Sequence, residues 1–215
     1  MKITTILFDL DDTLYSPDCG VWGLIREKID LFMISRLDYS QEDVTKAREG
    51  FFRDYGTTLR GLQATHKIDT DDYLNYVHDV PIEDLIKPNR MLIELLQKMP
   101  QKKAIFTNAD RIHASRVLKS LQIDKYFDNV VDILDTDPYC KPMREAFQIA
   151  MEKLSVSDPA TVLFFDDNLH NITTAQSLGM QTVWVNSNAQ NTEDKGLKIK
   201  NINEFHSLIP EFMAG

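Results

Sequence analysis

The sequence predicts an α/β fold: a Rossmann-like parallel sheet with helices on both faces, plus a small α-helical cap inserted after the first strand. Three observations predict it. The apolar run Ile6-Leu7-Phe8 ends abruptly in Asp9-Leu10-Asp11-Asp12, as a buried strand does when it delivers polar residues to the edge of a sheet. From Lys103 onward, short apolar runs alternate with helical patterns, which is how parallel strands joined by crossover helices read. Between Ser16 and Ile86 the apolar residues recur only at helical spacing, with no convincing strand among them, so this segment forms a module of its own.

Taken in order, Thr4 to Phe8 is rich in β-branched and large apolar residues and reads as a strand. Ser16-Pro17-Asp18-Cys19-Gly20 has turn chemistry. Val21, Leu24, Ile25, Ile29, Phe32, Met33 and Leu37 mark a helix, Ser40 with Asp43 is a capping box opening a second toward Tyr55, and a further helical pattern covers Asp71 to Val80. Between them, Tyr55-Gly56-Thr57-Thr58-Leu59-Arg60-Gly61-Leu62 sets polar residues and an arginine between two glycines. After Lys87-Pro88, Met91, Leu92, Leu95 and Leu96 predict a helix, and Lys103 to Phe106 a strand ending in Thr107-Asn108. Then follow a helix over Asp110 to Leu121, a strand over Asn129 to Leu134, a helix over Pro142 to Leu154 and a strand over Thr161 to Phe165 ending in Asp166-Asp167. A helix over Ile172 to Leu178, closed by Gly179, and a strand over Thr182 to Val185 complete the alternation. The polar stretch Asn186 to Gly196 reads as a mobile loop, and Ile202 to Ile209 as a last helix covering an edge. The chain divides into a core of residues 1–15 and 87–215 and a cap of residues 16–86.

With 24 basic against 33 acidic residues the net charge is −9, and no basic cluster interrupts that balance. Nucleic acid and anionic membrane surfaces are therefore poor partners, whereas a small anion can bind where a cation or backbone dipoles neutralise the site locally. Cys19 and Cys140 are too far apart in sequence for a metal-ligand pair and read as free thiols. With no basic-then-apolar leader pattern and no apolar run of membrane-spanning length, a cytoplasmic protein is expected.

Three strands end in polar residues on one edge of a parallel sheet: Asp9 and Asp11, Thr107 and Asn108, Asp166 and Asp167, with Lys141 at the start of a helix. Asp9 and Asp11 project to the same side because extended chain has period two. One can attack as a nucleophile and help hold a cation, while the other moves a proton to and from a leaving oxygen. Crowded carboxylates repel unless a divalent cation intervenes, and hard oxygen ligands near a phosphate point to Mg²⁺. Lys141 adds a fixed positive charge, and Thr107-Asn108 sit at the junction to a helix whose first amides would point at an anion. Such a set suits phosphoryl transfer.

The motifs Asp9-Leu10-Asp11-Asp12-Thr13, Thr107-Asn108, Lys141-Pro142 and Asp166-Asp167, in that order, resemble those of the haloacid dehalogenase-like hydrolases. The resemblance implies that Asp9 is phosphorylated, that Asp11 is the general acid and base, and that Thr107, Asn108 and Lys141 hold the phosphoryl group. It implies Mg²⁺ bound by Asp9, the backbone carbonyl of Asp11 and Asp166, with Thr13, Asp167 and Asn171 in support. Because an acid stands at Asp11, the pattern is similar to that of the phosphatases and mutases. The helical segment resembles the cap of the members in which a lid closes over the site. Tyr55 to Leu62, with Phe165-Asp166-Asp167-Asn168 and Asn171-Ile172, resembles the pyrimidine 5′-nucleotidase group. The resemblance thus implies a small phosphorylated metabolite as substrate, UMP or CMP above all. A sugar phosphatase or phosphomutase, or a regulator that binds a phospho-ligand without turnover, are the rival readings.

Within the cap, Thr57, Thr58 and Arg60 are the candidate substrate contacts; Arg60 paired with an acidic neighbour on the cap surface and the threonines as turn residues are the plainer alternatives. Phe51-Phe52 reads as cap core, Cys140 as a packed thiol and His170 as a solvated loop residue. His66, His78, His113 and His206 show no ligand spacing.

Overall fold

The computed structural model describes residues 2–187 and 196–208. Its strands are β1 (Thr5–Phe8), β2 (Lys102–Phe106), β3 (Asn129–Val131), β4 (Val162–Asp166), β5 (Gln181–Val185) and β6 (Leu197–Ile199), all parallel, in the order β3-β2-β1-β4-β5-β6. The chain runs outward from β1 in both directions, so the carboxyl end of β1 is the switch point at which open α/β sheets take their ligands.

Side chains along each strand alternate between two cores, as a period of two requires. Ile6, Phe8, Ile105, Leu163, Phe165, Val183 and Val185 pack on one face. Leu7, Ala104, Phe106, Val162, Phe164 and Trp184 pack on the other. With both faces covered, the strands read as continuous apolar runs. The second face is closed by α8 (Arg144–Lys153) and α9 (Leu169–Ser177) through Ala146, Phe147, Ala150, Ile172 and Ala175. On the first face lie α6 (Arg90–Lys98) and α7 (Arg111–Ser120), anchored by Leu92, Leu95, Leu96 and Val117. Met91 faces solvent at 52 % exposure, because Asn89 caps the Met91 and Leu92 amides and fixes the rotation of the first turn.

Between β1 and α6 stand α1 (Val21–Leu37), α2 (Val44–Tyr55), α3 (Thr58–Thr65), α4 (Thr70–Val77) and α5 (Ile82–Leu85), with no strand among the described residues. The Ser40 hydroxyl donates to Asp43 Oδ2 at 2.7 Å and accepts from the Asp43 amide at 3.1 Å, closing the cap that leads into α2. Val21, Ile25, Phe32, Met33, Tyr73 and Val77 join the same cluster as Ile6 and Phe8, so this helical segment shares its buried surface with the sheet. At Gly61 a Cβ would meet Phe51 Cδ1 at 2.3 Å; the missing side chain is what lets α2 and α3 close on one another.

Several boundaries differ from those read in the sequence. The strand expected over Asn129 to Leu134 stops at Val131, because Asp132 leaves the ladder and accepts the Arg111 and Asp135 amides, each at 2.9 Å. The helix expected from Ile172 begins at Leu169, where the Asn168 side chain caps the His170 amide at 2.9 Å. The helix expected from Pro142 begins at Arg144, after a tight turn from the Met143 amide to the Cys140 carbonyl at 2.8 Å. β6 is unforeseen. Ile202 to Ser207 is a 3-10 helix rather than the expected α-helix, with Phe205 edge-on to Phe165 at 4.8 Å. Of the stretch expected to be a mobile loop, residues 188–195 lie outside the described residues. No described helix is long and apolar enough to cross a membrane.

Candidate active site

The register of the sheet brings the site together. Phe8 lies level with Ile105 and Phe165, so Asp9, Thr107 and Asp166 leave their strands at one edge. The Asp9 amide donates to the Phe165 carbonyl at 2.8 Å and the Thr107 amide to that of Val131 at 3.0 Å. Lys141 reaches the same edge from the loop after β3. Asn108 fixes that loop: its side-chain amide donates to the Lys141 carbonyl and accepts the Lys141 amide, both at 2.9 Å.

Lys141 is buried, and its ammonium donates to Asp9 Oδ1 at 2.7 Å and to Asp166 Oδ2 at 2.8 Å. Burial alone would lower its pKa, but the charges of Asp166 and Asp9 outweigh that and hold it above the ordinary value. The rings of Phe106 and Phe164 lie beneath it at 5.3 and 5.6 Å, within cation–π range. The other Asp9 oxygen, Oδ2, accepts the Thr13 hydroxyl at 3.0 Å. Burial raises the Asp9 carboxyl to about 7, helped by Asp166 and opposed by Lys141. Asp166 is sealed in, with Oδ1 accepting the Asn168 amide at 2.8 Å and Asn171 Nδ2 at 2.9 Å. Among the described residues no hydrogen bond reaches the Asp167 carboxylate, and burial together with the charges of Asp9 and Asp166 pushes it up to about 8.

Asp9, Asp166 and Asp167 each offer a carboxylate oxygen within 4.8 Å of the others. All donors are hard oxygens, and Asp167 is an unpaired, largely buried acid whose ionised form only a cation would stabilise. The set fits Mg²⁺. It also shifts emphasis within the acidic pair: Asp166, expected as the ligand, is committed to Lys141 and Asn171, while Asp167, expected in support, has its oxygens open.

Asp11 stands beside this cluster in a network of its own. Its Oδ1 accepts the Tyr15 hydroxyl at 2.6 Å and lies 2.7 Å from His113 Nε2. Burial works to raise the Asp11 carboxyl, but the His113 charge and the hydrogen bonds from His113 and Tyr15 hold it below the usual range. His113 is fully buried and stacks on His78 at 4.4 Å and 28°. His78 Nδ1 in turn lies 2.5 Å from Asp110 Oδ2. His113 and His78, without ligand spacing, and Tyr15 do not stand out in the sequence as site residues; the one local signal is Asp110 followed at a spacing of three by His113, at the start of the helix that leaves the strand-end edge.

Groups expected to clamp an anion are partly engaged within the protein. The first amides of α7 are not free to meet an anion: Asp110 Oδ1 accepts those of Ile112 and His113 at 2.7 and 2.9 Å, and Asp132 accepts that of Arg111. The side chain of Asn108 holds the Lys141 peptide, and Asn108 also lines the cavity. Thr107 and Lys141 both line the cavity.

Above the carboxylates opens a cavity of about 450 Å³, walled on the helical side by Trp22, Arg26, Arg48, Phe52, Thr57 and Thr58. Thr57 also caps α3, its Oγ1 accepting the Arg60 amide at 3.1 Å. Arg60 does not face this cavity. Its buried guanidinium pairs with Asp137, donates to the carbonyls of Ile133 at 2.7 Å and Tyr139 at 2.8 Å, and reaches Gln63 Oε1 at 2.8 Å. The acidic partner is therefore on the loop leading to Lys141, not on the cap surface. Phe51 packs in the core, whereas Phe52, expected there too, is 47 % exposed and lines the cavity. Cys140 is buried with a thiol raised by burial, and His170 is exposed.

A parallel α/β core whose strand ends set several carboxylates around one lysine, under a helical layer, defines a class of hydrolase. The haloacid dehalogenase-like hydrolase family matches residues 3–179, and the chain belongs to that family. It is 30 % identical over 187 residues to "Phosphate metabolism protein 8" of Saccharomyces cerevisiae, covering 80 % of this chain and 58 % of that protein, so it spans little more than half that relative's length. It is 28 % identical over 185 residues to pyrophosphatase PpaX of Bacillus mycoides, covering 86 % of this chain and 84 % of that one. In fold it is similar to the HAD-hydrolase YfnB of Bacillus subtilis, a structure bound to magnesium, with a TM-score of 0.66 at 18 % identity over 98 % of this chain and 100 % of that one. A HAD phosphatase from Thermococcus onnurineus superposes with a TM-score of 0.63 at 20 % identity, covering 97 % and 98 %.

Proposed function

We propose that this protein is a Mg²⁺-dependent phosphatase that hydrolyses small phosphomonoesters through a phosphoaspartate at Asp9, with pyrimidine nucleoside 5′-monophosphates as preferred substrates. The observation that carries the reading is the pairing of two carboxylates at the end of β1, Asp9 held by Lys141 and Thr13, Asp11 held by Tyr15 and His113. A site that only bound phosphate would have no use for the second acid.

An Asp9 oxygen attacks phosphorus, and the bond from phosphorus to the ester oxygen breaks. The electron pair leaves with that oxygen, which takes a proton from the Asp11 carboxyl. Water then gives a proton to the Asp11 carboxylate as it attacks the phosphorylated Asp9, and inorganic phosphate departs with the bond to Asp9 broken. Lys141 and Thr107 hold the phosphoryl oxygens. Asp9, Asp167 and the Asp11 carbonyl, with Asp166 behind them, would hold Mg²⁺, which supplies positive charge against the phosphoryl group and the crowded carboxylates. The helical segment, residues 16–86, acts as a cap domain over the core, excluding bulk water and meeting the leaving group.

The preference for UMP and CMP is supported by the resemblance of Tyr55 to Leu62 and of Asp166 to Ile172 to the pyrimidine 5′-nucleotidases, and by Thr57 and Thr58 lining the cavity. Hydrogen-bonding and size discrimination of this kind is worth on the order of 1–3 kcal/mol. The test is kcat/KM for UMP, CMP, AMP, GMP, a hexose phosphate and pyrophosphate at one Mg²⁺ concentration. UMP or CMP is expected to lead. Pyrophosphate in front would favour the activity that the PpaX relative's name carries, and a sugar phosphate in front a metabolite phosphatase.

A further inference from the structure

Asp11 is the acid of the proposed reaction, and an aspartate at a strand end has a broad, roughly two-fold freedom about its last torsion. Here that freedom is removed. Tyr15 Oη at 2.6 Å and His113 Nε2 at 2.7 Å converge on one oxygen, Oδ1, and no hydrogen bond reaches Oδ2 among the described residues. Since Asp11 lines the cavity, two donors on one side leave the other oxygen for the cavity.

His113 is itself held in a way that a space-filling histidine would not need. It is fully buried, yet among the described residues its Nδ1 has no hydrogen-bond partner, and a buried polar atom left unpaired in a folded protein calls for an explanation. Its ring is fixed instead from above by His78 at 4.4 Å. His78 is fixed by Asp110 through its side chain and by Arg116, whose Nη1 donates to the His78 carbonyl at 2.9 Å. The same Asp110 caps the helix on which His113 rides, accepting the His113 amide at 2.9 Å. One carboxylate thus sets both the backbone and the ring plane of the histidine.

We propose that His113 is the positioning residue for Asp11: with Tyr15 it pins Oδ1 so that Oδ2 is the oxygen that exchanges the proton with the leaving group. The inference rests on the reading of Asp11 as general acid. Proton donation matters most when the leaving oxygen is a poor one, so the expected signature is selectivity for leaving group rather than uniform loss.

The experiment compares kcat/KM, which reports transfer to Asp9, for an aliphatic phosphomonoester and for p-nitrophenyl phosphate, in the Mg²⁺-loaded protein. Asp11→Asn first tests the underlying reading, with an expected loss on the aliphatic ester of about 10²-fold or more and a much smaller one on the aryl ester. His113→Phe fills the same space without a donor and should show the same asymmetry, with the aliphatic ester losing about tenfold or more and the aryl ester less than about threefold. His113→Gln, whose amide can place a donor near Nε2, should restore most of the difference. Tyr15→Phe should show a weaker loss in the same sense, and it decides the matter if His113→Phe melts below the assay temperature. A flat loss in Asp11→Asn sinks the acid assignment itself. A selective loss in Asp11→Asn with flat losses in the His113 and Tyr15 variants sinks the positioning role alone.

Discussion

Replacing Arg60 by alanine tests whether that residue holds the fold or reads the substrate. Its guanidinium donates to the Ile133 and Tyr139 carbonyls at 2.7 and 2.8 Å. After the change, among the described residues, the Ile133 carbonyl retains only the Thr136 hydroxyl at 3.4 Å, and that of Tyr139 the same hydroxyl at 3.0 Å. Two hydrogen bonds from a charged donor are worth about 1.5–3 kcal/mol each. The side chain of the ion-pair partner Asp137 is 57 % exposed, so its attraction adds at most about 1 kcal/mol. Thr136 offsets part of the loss at Tyr139, and Arg60 Nε is already buried without a partner among the described residues, leaving a net cost of about 2–4 kcal/mol. For a chain of this length that corresponds to a fall in Tm of roughly 5–15 °C. The assay is calorimetric or spectroscopic melting beside kcat/KM for UMP, AMP and p-nitrophenyl phosphate well below the transition. The staple predicts a lower Tm with one common factor on all substrates and their ranking kept. Arg60→Lys should recover less than half of the Tm, because one ammonium cannot span two carbonyls as a planar fork does. An unchanged Tm with a selective loss on nucleotides would refute this reasoning and return Arg60 to the substrate site.

Three further outcomes follow from the same geometry. Asp9→Asn should lower turnover by several orders of magnitude without loss of fold, since burial already disfavours the ionised form at that position; activity within about tenfold of wild type would exclude Asp9 as nucleophile. Burial raises Asp9 from 3.8 to about 7, so the metal-free folded state keeps a proton that the unfolded chain has lost. That stability is fully present below the unfolded value and is lost as pH rises toward 7, by roughly tenfold in the folding equilibrium per pH unit for one proton. Mg²⁺ favours the ionised carboxylate, so its effect on Tm should grow from pH 5 to pH 8, and an equal effect at both would contradict the metal site. Gly56→Ala should cost about 1–2 kcal/mol for a side chain at positive φ and lower activity as well, because φ is +84° and the new Cβ would lie 2.9 Å from Cys140 Sγ and 3.2 Å from the Lys141 carbonyl; full activity would mean that the α2–α3 turn does not set the position of Lys141.

What was legible in the sequence is what short-range pattern carries. Strand ends at Phe8, Phe106 and Phe165 stand out because a fully covered parallel sheet makes apolar runs that stop at polar residues, and those residues are the carboxylates and the threonine of the site. β6 was not legible: it has three residues, of which Leu197 and Ile199 face inward only because β5 lies beside them. The contacts of Arg60 lie 73 to 79 residues away and those of His113 with Asp11 lie 102 residues away. No periodicity spans such distances. The α7 terminus misled for a related reason. Asp110 reads as part of a helix start, which it is, but its capping of the amides it precedes engages donors that a bare terminus would offer an anion.

The three carboxylates around Lys141 differ in one respect that local sequence does not show, the number of donors each receives. Asp166 accepts four contacts, from Lys141, the Asn168 amide and both reaches of the Asn171 amide, and is wholly buried. Asp9 accepts two, one on each oxygen, and keeps 8 % exposure at the cavity floor. Asp167 accepts none among the described residues. A carboxylate saturated with donors is a poor nucleophile and a weak competitor for a cation, since its lone pairs are already engaged. One without donors is the strongest claimant on a cation and the most costly to leave ionised, and burial with the charges of Asp9 and Asp166 already raises Asp167 to about 8. Asp9, between them, is oriented by one donor on each oxygen and retains a lone pair on each with which to attack. This gradient supports a division of labour in which Asp166 fixes Lys141, Asp167 takes the metal and Asp9 makes the bond to phosphorus. Asp166→Asn and Asp167→Asn should then fail differently. The first is expected to lose Tm through Lys141 even without metal, whereas the second should keep its metal-free Tm and lose its response to Mg²⁺.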